Sequence, residues 1–131
     1  MILSPTTENL TRAAEVLRMG GVVAIPTETV YGLAGRIDSE HALELIFSLK
    51  GRPADNPLIV HVASVAQARS VVDPSAHGQL ERLAQVFWPG PLTLVLPKAD
   101  GVSTIVTGGL HTVAVRMPEH AIARSIIEGC G

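Results

Sequence analysis

A chain of 131 residues, 47% hydrophobic and 17% charged, is the size of one ordinary domain with a core of its own, and this balance excludes a disordered chain. Only 3% of the residues are aromatic, so the core must be built from Val, Leu, Ile and Ala, and 12 Gly with 9 Pro suit short elements joined by tight turns. The net charge of -2 argues against a generally basic nucleic-acid coat but leaves a local patch open; eight of the ten cations are Arg, the better residue for two-pronged anion contacts.

Ser4-Pro5 reads as an N-cap followed by proline in the first helical turn, with Glu8 placed favourably at the positive end of that helix. Leu10, Ala13, Ala14 and Leu17 recur at helical spacing, and Gly20-Gly21 ends the helix. Val22 to Ile25 is a short apolar run bounded by Gly and Pro, the pattern of a buried strand. Pro26-Thr27-Glu28-Thr29-Val30-Tyr31-Gly32-Leu33 leaves it carrying two hydroxyls, a carboxylate and a phenol. Polar groups at a strand end are what a ligand site in an open α/β sheet uses, although Thr, Glu and Gly also suit a capped turn; the one tyrosine, Tyr31, tips the reading toward a site. Leu33 to Ile37 is expected as a second strand. Asp38-Ser39 then caps a helix with Ala42, Leu45, Ile46 and Leu49 on one face, delivering Lys50 at its C-terminal end.

The loop that follows, Lys50-Gly51-Arg52-Pro53-Ala54-Asp55-Asn56-Pro57, holds two cations one residue apart. Its prolines keep Arg52 and Asn56 in extended or turn geometry, and Gly51 lets backbone approach a bound group. With His61 in the strand Leu58 to Val62 just beyond, the arrangement suits a phosphate-bearing ligand. It also fits a solvated basic turn, and Lys50 by itself is explained by the dipole of the helix it ends.

Residues 64 to 72 and 75 to 87 read as helices separated by Asp73-Pro74, the second with Leu80, Leu83, Ala84 and Phe87 on one face. Phe87-Trp88-Pro89-Gly90-Pro91 is a sharp break, read as an aromatic plug packed under a turn. Leu92 to Leu96 is a strand, and Lys98 to Gly109 is expected to be a mobile polar loop. Thr112 to Pro118 is a further strand in which Arg116 shares a face with Thr112 and Ala114, opposite Val113 and Val115. A charged residue on a sheet face points to a ligand carboxylate or an internal ion pair. Glu119 to Glu128 closes as a helix with Ile122, Ser125 and Ile126 inward. Strands alternate with helices, and one pair of neighbouring strands implies that the sheet is not wholly parallel.

No G-x-x-x-x-G-K-[ST] or G-x-G-x-x-G phosphate loop occurs, nor a G-x-S-x-G elbow. The histidines at 41, 61, 77, 111 and 120 lack zinc spacing. Four lie beside helix ends or loops and are expected to be solvated; His61 alone interrupts a buried strand, where a histidine satisfied by backbone is the ordinary explanation. The single cysteine, Cys130, allows no internal disulfide, and no signal peptide or membrane span is expected, which together favour the cytoplasm.

Four motifs in register resemble the YrdC-like threonylcarbamoyl-AMP synthase family: Pro26-Thr-Glu-Thr-Val-Tyr-Gly-Leu33, Lys50-Gly-Arg-Pro53 with Asn56-Pro-Leu58 and His61, Trp88-Pro-Gly-Pro-Leu-Thr93, and Val115-Arg-Met-Pro118. The resemblance spans about residues 8 to 128. It implies a single-domain α/β fold over residues 1–131, a twisted mixed sheet with flanking helices and a concave ligand face. It further implies that L-threonine, bicarbonate and ATP, the last with Mg²⁺, give threonylcarbamoyl-AMP and pyrophosphate for tRNA modification. Position by position, Thr29, His61 and Arg116 match threonine contacts; Lys50, Arg52, Asn56 and Thr112 match nucleotide and phosphate contacts, with Lys50 and Arg52 neutralising charge in catalysis; Tyr31 is expected to shape the threonine pocket. The family continues into a strand and loop with a Ser-x-Asn motif, so the chain is expected to cover the N-terminal part of the domain. Alternatives are a non-catalytic RNA-binding or regulatory paralogue, and a detached YrdC-like domain of a carbamoyl-transfer protein of hydrogenase maturation.

Overall fold

The computed structural model describes residues 4–26, 31–51, 53 and 55–130. Its first helix, α1 (Thr7–Arg18), is capped by Thr6 rather than Ser4: the Thr6 hydroxyl accepts from the Asn9 amide at 3.2 Å, while the Ser4 carbonyl accepts from Thr6 N and Asn9 Nδ2. The proline therefore precedes the cap instead of filling the first turn. Such a cap contributes about 0.5–2 kcal/mol. Ala14 and Leu17 are buried as the spacing requires.

Strands β1 (Val23–Pro26) and β2 (Tyr31–Ala34) form an antiparallel pair, Val23 opposite Ala34 and Pro26 opposite Tyr31. The second strand thus starts earlier than expected and ends at Ala34, short of Ile37. Helix α2 (Glu40–Lys50) is capped by the Ser39 hydroxyl and closed by Gly51 at φ 59°, in the left-handed region. Gly51 is explained by that helix end. The buried stripe of α2 is Ala42, Leu43 and Ile46, rotated from the expected one; Leu45 is half-buried and Leu49 is exposed.

Strand β3 (Ile59–His61) leads to α3 (Val65–Val71), a single 3-10 turn (Pro74–Ala76) and α4 (His77–Phe87). Leu80 and Ala84 are buried, but Phe87 at the helix end is half exposed. His77 is not simply solvated: its Nε2 lies 2.8 Å from the Val72 carbonyl and 3.1 Å from that of Arg69, tying the end of α3 to α4. Trp88 is buried beneath the following turn, with Nε1 donating to the Leu92 carbonyl at 2.9 Å, as the plug reading expects.

Strand β4 (Leu94–Pro97) precedes the stretch expected to be a mobile loop. That stretch instead contains a short helix, α5 (Thr104–Thr107), in which Val106 and Thr107 are buried along with Val102 just before it, and whose cap is the Ser103 hydroxyl. Burial of its apolar side chains outweighs its polar composition. Strand β5 (Thr112–Arg116) and helix α6 (Ala121–Cys130) complete the chain. Helix α6 turns Ala123, Ile126 and Ile127 inward; Ser125, expected inside, is exposed. His120 Nδ1 accepts the Ile122 amide at 3.3 Å beside the start of α6, a second histidine with a local structural partner.

Among the described residues the strands fall into two sheets. One is the β1–β2 pair; the other has the order β3–β5–β4, with β3 parallel and β4 antiparallel to β5. Two apolar clusters match this division. The larger gathers Leu80, Leu94, Val106, Val113 and Val115 against the three-stranded sheet, and the smaller joins Leu17, Ile25, Ala123 and Ile126. Leu80 is fully buried in the larger one, where truncating a leucine to alanine costs about 2–5 kcal/mol.

Candidate functional site

A cavity of ≈ 380 Å³ lies between the two sheets, bordered by Leu33 on β2, by Val60 and His61 on β3, and by Lys50 and Arg116. His61 and Arg116 are register partners on adjacent parallel strands, so their side chains leave the sheet on the same face. The alternation of β5 explains the rest: Val113 and Val115 point into the larger cluster, and Arg116 points the other way. Arg116 is only 4% exposed, and its Nε donates to the Gly90 carbonyl at 3.2 Å. A guanidinium next to an imidazole on a largely apolar wall is chemistry for holding a small carboxylate with a polar tail.

One edge of the cavity is closed by Arg36. It grips Asp38 with two parallel bonds, Nε to Oδ1 at 2.9 Å and Nη2 to Oδ2 at 2.8 Å, and Nη1 reaches the Cys130 carbonyl at 3.1 Å. The side-chain bond to Asp38 holds the Arg36 pKa above its ordinary value, so this cation stays charged. Arg18 donates to the Gly129 carbonyl, so two arginines cap the C-terminal carbonyls of α6. Cys130 is half-buried on the cavity wall, and burial pushes its thiol pKa up, which disfavours the thiolate.

Lys50 reaches the cavity from the exposed last turn of α2. The loop beyond it is fastened from below by α5. The Leu58 amide donates to the Val106 carbonyl at 2.8 Å, and Gly108, at φ 61°, passes so close to the loop that a Cβ there would lie 2.7 Å from the Asp55 carbonyl oxygen. Only glycine combines that left-handed backbone with that approach. The sequence did carry a signal for this device, Ser103 as N-cap and Gly108 at the helix end, but both were absorbed into a reading of the stretch as loop.

Residues 15–131 match the family model Sua5/YciO/YrdC, described as "Telomere recombination". The chain belongs to this family. It is 56% identical over 116 residues to the threonylcarbamoyl-AMP synthase of Pyrococcus abyssi, covering 88% of this chain and 34% of that protein. To the Bacillus subtilis threonylcarbamoyl-AMP synthase it is 46% identical over 130 residues, 98% of this chain and 37% of the relative. Among solved structures, that of P. abyssi Sua5 complexed with L-threonine superposes with a TM-score of 0.88 at 49% identity, over 99% of this chain and 37% of that one. The chain thus spans about a third of the length of these relatives.

In this Sua5/YciO/YrdC chain the cavity gathers three of the residues singled out from sequence, Lys50, His61 and Arg116. Thr29 and Arg52 lie outside the described residues. Tyr31 is not among the described residues that line the cavity; it stands at the start of β2 with 77% of its surface exposed. Asn56 is exposed, its amide donating to the Pro53 carbonyl at 3.0 Å, and it is not part of the cavity wall. Thr112 shares the Arg116 face but opens β5, four residues upstream and opposite Pro97, outside the wall. Gly90, Arg36 and Gly108, which sequence reasoning passed over, each hold a part of the site's frame. No helix among the described residues is long and apolar enough to cross a membrane.

Proposed function

We propose that this chain carries the amino-acid pocket and part of the nucleotide site of a threonylcarbamoyl-AMP synthase. The observation that carries the reading is the His61–Arg116 pair, side by side on one sheet face at one cavity, with Lys50 on its rim. In the reaction the threonine amine takes its new N–C bond from bicarbonate with loss of water. The resulting carbamate oxygen then attacks the α-phosphorus of ATP, and pyrophosphate leaves with the electrons of the broken P–O bond. Arg116 holds the threonine carboxylate by its planar fork, and His61 beside it orients the amino acid. Lys50, with Arg52, Asn56 and Thr112 as further nucleotide contacts, offsets charge on the triphosphate, and Mg²⁺ arriving with ATP would supply further charge neutralisation there. Thr29 completes the threonine contacts. Catalysis is then positioning plus electrostatics. The product, a mixed anhydride, serves a cytoplasmic transfer of threonylcarbamoyl to tRNA. The names of the relatives at 56% and 46% identity support this reading over a non-catalytic paralogue.

The test is calorimetric titration of the chain with L-threonine, followed by pyrophosphate release from ATP. Saturable threonine binding by the chain is expected, and any pyrophosphate release should require both threonine and bicarbonate. Release indifferent to threonine, or a chain that binds ATP and no threonine, would overturn the assignment.

A further inference from the structure

The turn at Trp88–Leu92 is fastened to the end of β5 at the one place where β5 presents its arginine. Gly90 donates its amide to the Met117 carbonyl at 2.9 Å and accepts the Arg116 Nε at 3.2 Å, so one buried residue grips two consecutive positions. The turn itself is held at both ends: the Trp88 amide donates to the Ala84 carbonyl in the last turn of α4, and the Trp88 indole donates to the Leu92 carbonyl, both at 2.9 Å. On the far side the Val62 amide donates to the Arg116 carbonyl at 2.9 Å, fixing the arginine's backbone to the strand that carries His61. Space at the grip is minimal, since a Cβ on Gly90 would lie 2.8 Å from the Phe87 carbonyl oxygen, which is backbone and cannot swing aside.

We propose that the Trp88–Leu92 turn, through the Gly90 carbonyl, is the positioning device that orients the Arg116 guanidinium for a ligand carboxylate. An arginine side chain is rich in rotamers, and tying Nε to a fixed carbonyl restricts that freedom before a ligand arrives. It also selects an edge. A guanidinium can meet a carboxylate with two parallel bonds either through Nε and its neighbouring terminal nitrogen or through the two terminal nitrogens. Gly90 occupies the Nε position, so the edge that includes Nε is closed to two-pronged binding. Residues 88–92 touch no substrate in this scheme; they act through Arg116. The proposal rests on the assignment of Arg116 to the threonine carboxylate given above.

Two measurements test it. In nitrogen-15 spectra of the chain, the Arg116 Nε–H signal, assigned by its loss in Arg116→Lys, should exchange with water much more slowly than those of the exposed Arg12 and Arg82. Exchange as fast as theirs would overturn the grip itself, independently of any substrate. Next, Gly90→Ala should weaken L-threonine binding about tenfold while leaving ATP binding within twofold of wild type, and Trp88→Phe, which keeps an aromatic side chain but loses the fused second ring along with the indole donor, should weaken threonine severalfold in the same direction. A general loosening of the fold would move both ligands together. A folded Gly90→Ala chain with wild-type threonine affinity sinks the proposal; if that variant does not fold, a Trp88→Phe chain that loses slow Nε–H exchange yet keeps wild-type affinity sinks it as well. Should the wild-type chain bind no threonine, the carboxylate assignment fails and with it the positioning role, and the exchange measurement shows whether the grip exists regardless.

Discussion

Arg116 and Lys50 border the same cavity, yet the chain builds them in opposite ways. Arg116 emerges from the middle of a three-stranded sheet, is almost wholly buried and is tied to a backbone carbonyl. Lys50 ends an exposed helical turn, where the α2 dipole already favours a cation. A buried cation is a cost to the fold unless polar groups surround it, so Arg116 is part of the architecture. An exposed one costs little and contributes little, so Lys50 is free to answer to a ligand alone. Stability and binding should therefore be coupled at the first position and separable at the second.

The largest expected effect comes from breaking the buried side. Arg116→Ala leaves the Gly90 carbonyl without its donor, which should lower stability by about 1–3 kcal/mol. It should also remove threonine binding to the extent of about 3 kcal/mol or more, from two charge-assisted contacts of about 1.5–3 kcal/mol each. Denaturant unfolding and threonine titration read the two effects; an Arg116→Ala chain that binds threonine normally would remove this residue from the pocket. Arg116→Lys should restore little, because one ammonium cannot serve both the carbonyl and a two-pronged carboxylate.

A smaller effect, confined to binding, is expected at the exposed side. Lys50→Ala should unfold within about 1 kcal/mol of wild type. Its interaction with ATP should fall by about 1.5–3 kcal/mol, the worth of a charge-assisted phosphate contact, with threonine affinity unchanged. Early unfolding of this variant would show that the cation serves the helix end, and unchanged ATP binding would remove it from the nucleotide site.

Smallest of all is the effect at Cys130, a third ionisable group on the cavity wall, which sharpens the comparison by testing burial without charge. Its pKa is raised chiefly by desolvation, with Arg36 pulling the other way. The sign follows: the folded chain holds the thiol proton more tightly than the unfolded one, so this stabilising term is complete below the unfolded thiol pKa and is lost as pH rises through the folded value. Alkylation of Cys130 should accelerate only at pH above the ordinary cysteine range, and Cys130→Ser should flatten the alkaline fall in melting temperature. Ordinary thiol kinetics would place the side chain in solvent.

The elements that sequence made legible are those with room for a period. Helix α4 and strand β5 each offer a run long enough for apolar spacing to choose between helix and strand and to say which face is buried. Helix α5 has one turn and no period to show; its signature lay only in its caps. Helix ends misled in the same way twice, since Leu49 and Phe87 fit the apolar stripe but stand where the helix has already left its support. Within the site, the Arg116 face could be read because alternation is local. That β3 would pair with β5 in a register setting His61 against Arg116 could not, because pairing is decided by distant contacts. Nor could the placement of Tyr31, which stands exposed at the start of β2 and is not among the residues that border the cavity.

The division of the strands into two sheets gives the cavity a mechanical character. Among the described residues no ladder bond joins β1–β2 to β3–β5–β4, and the space between them is the space a ligand would use. Backbone hydrogen bonds resist stretching steeply and directionally; packed methyl groups resist it weakly and can slide. The cleft therefore behaves as a joint whose compliance resides in side chains. A bound molecule that touches both sheets acts as its strut, and the stiffness it adds should appear in both sheets at once, including strands it never touches.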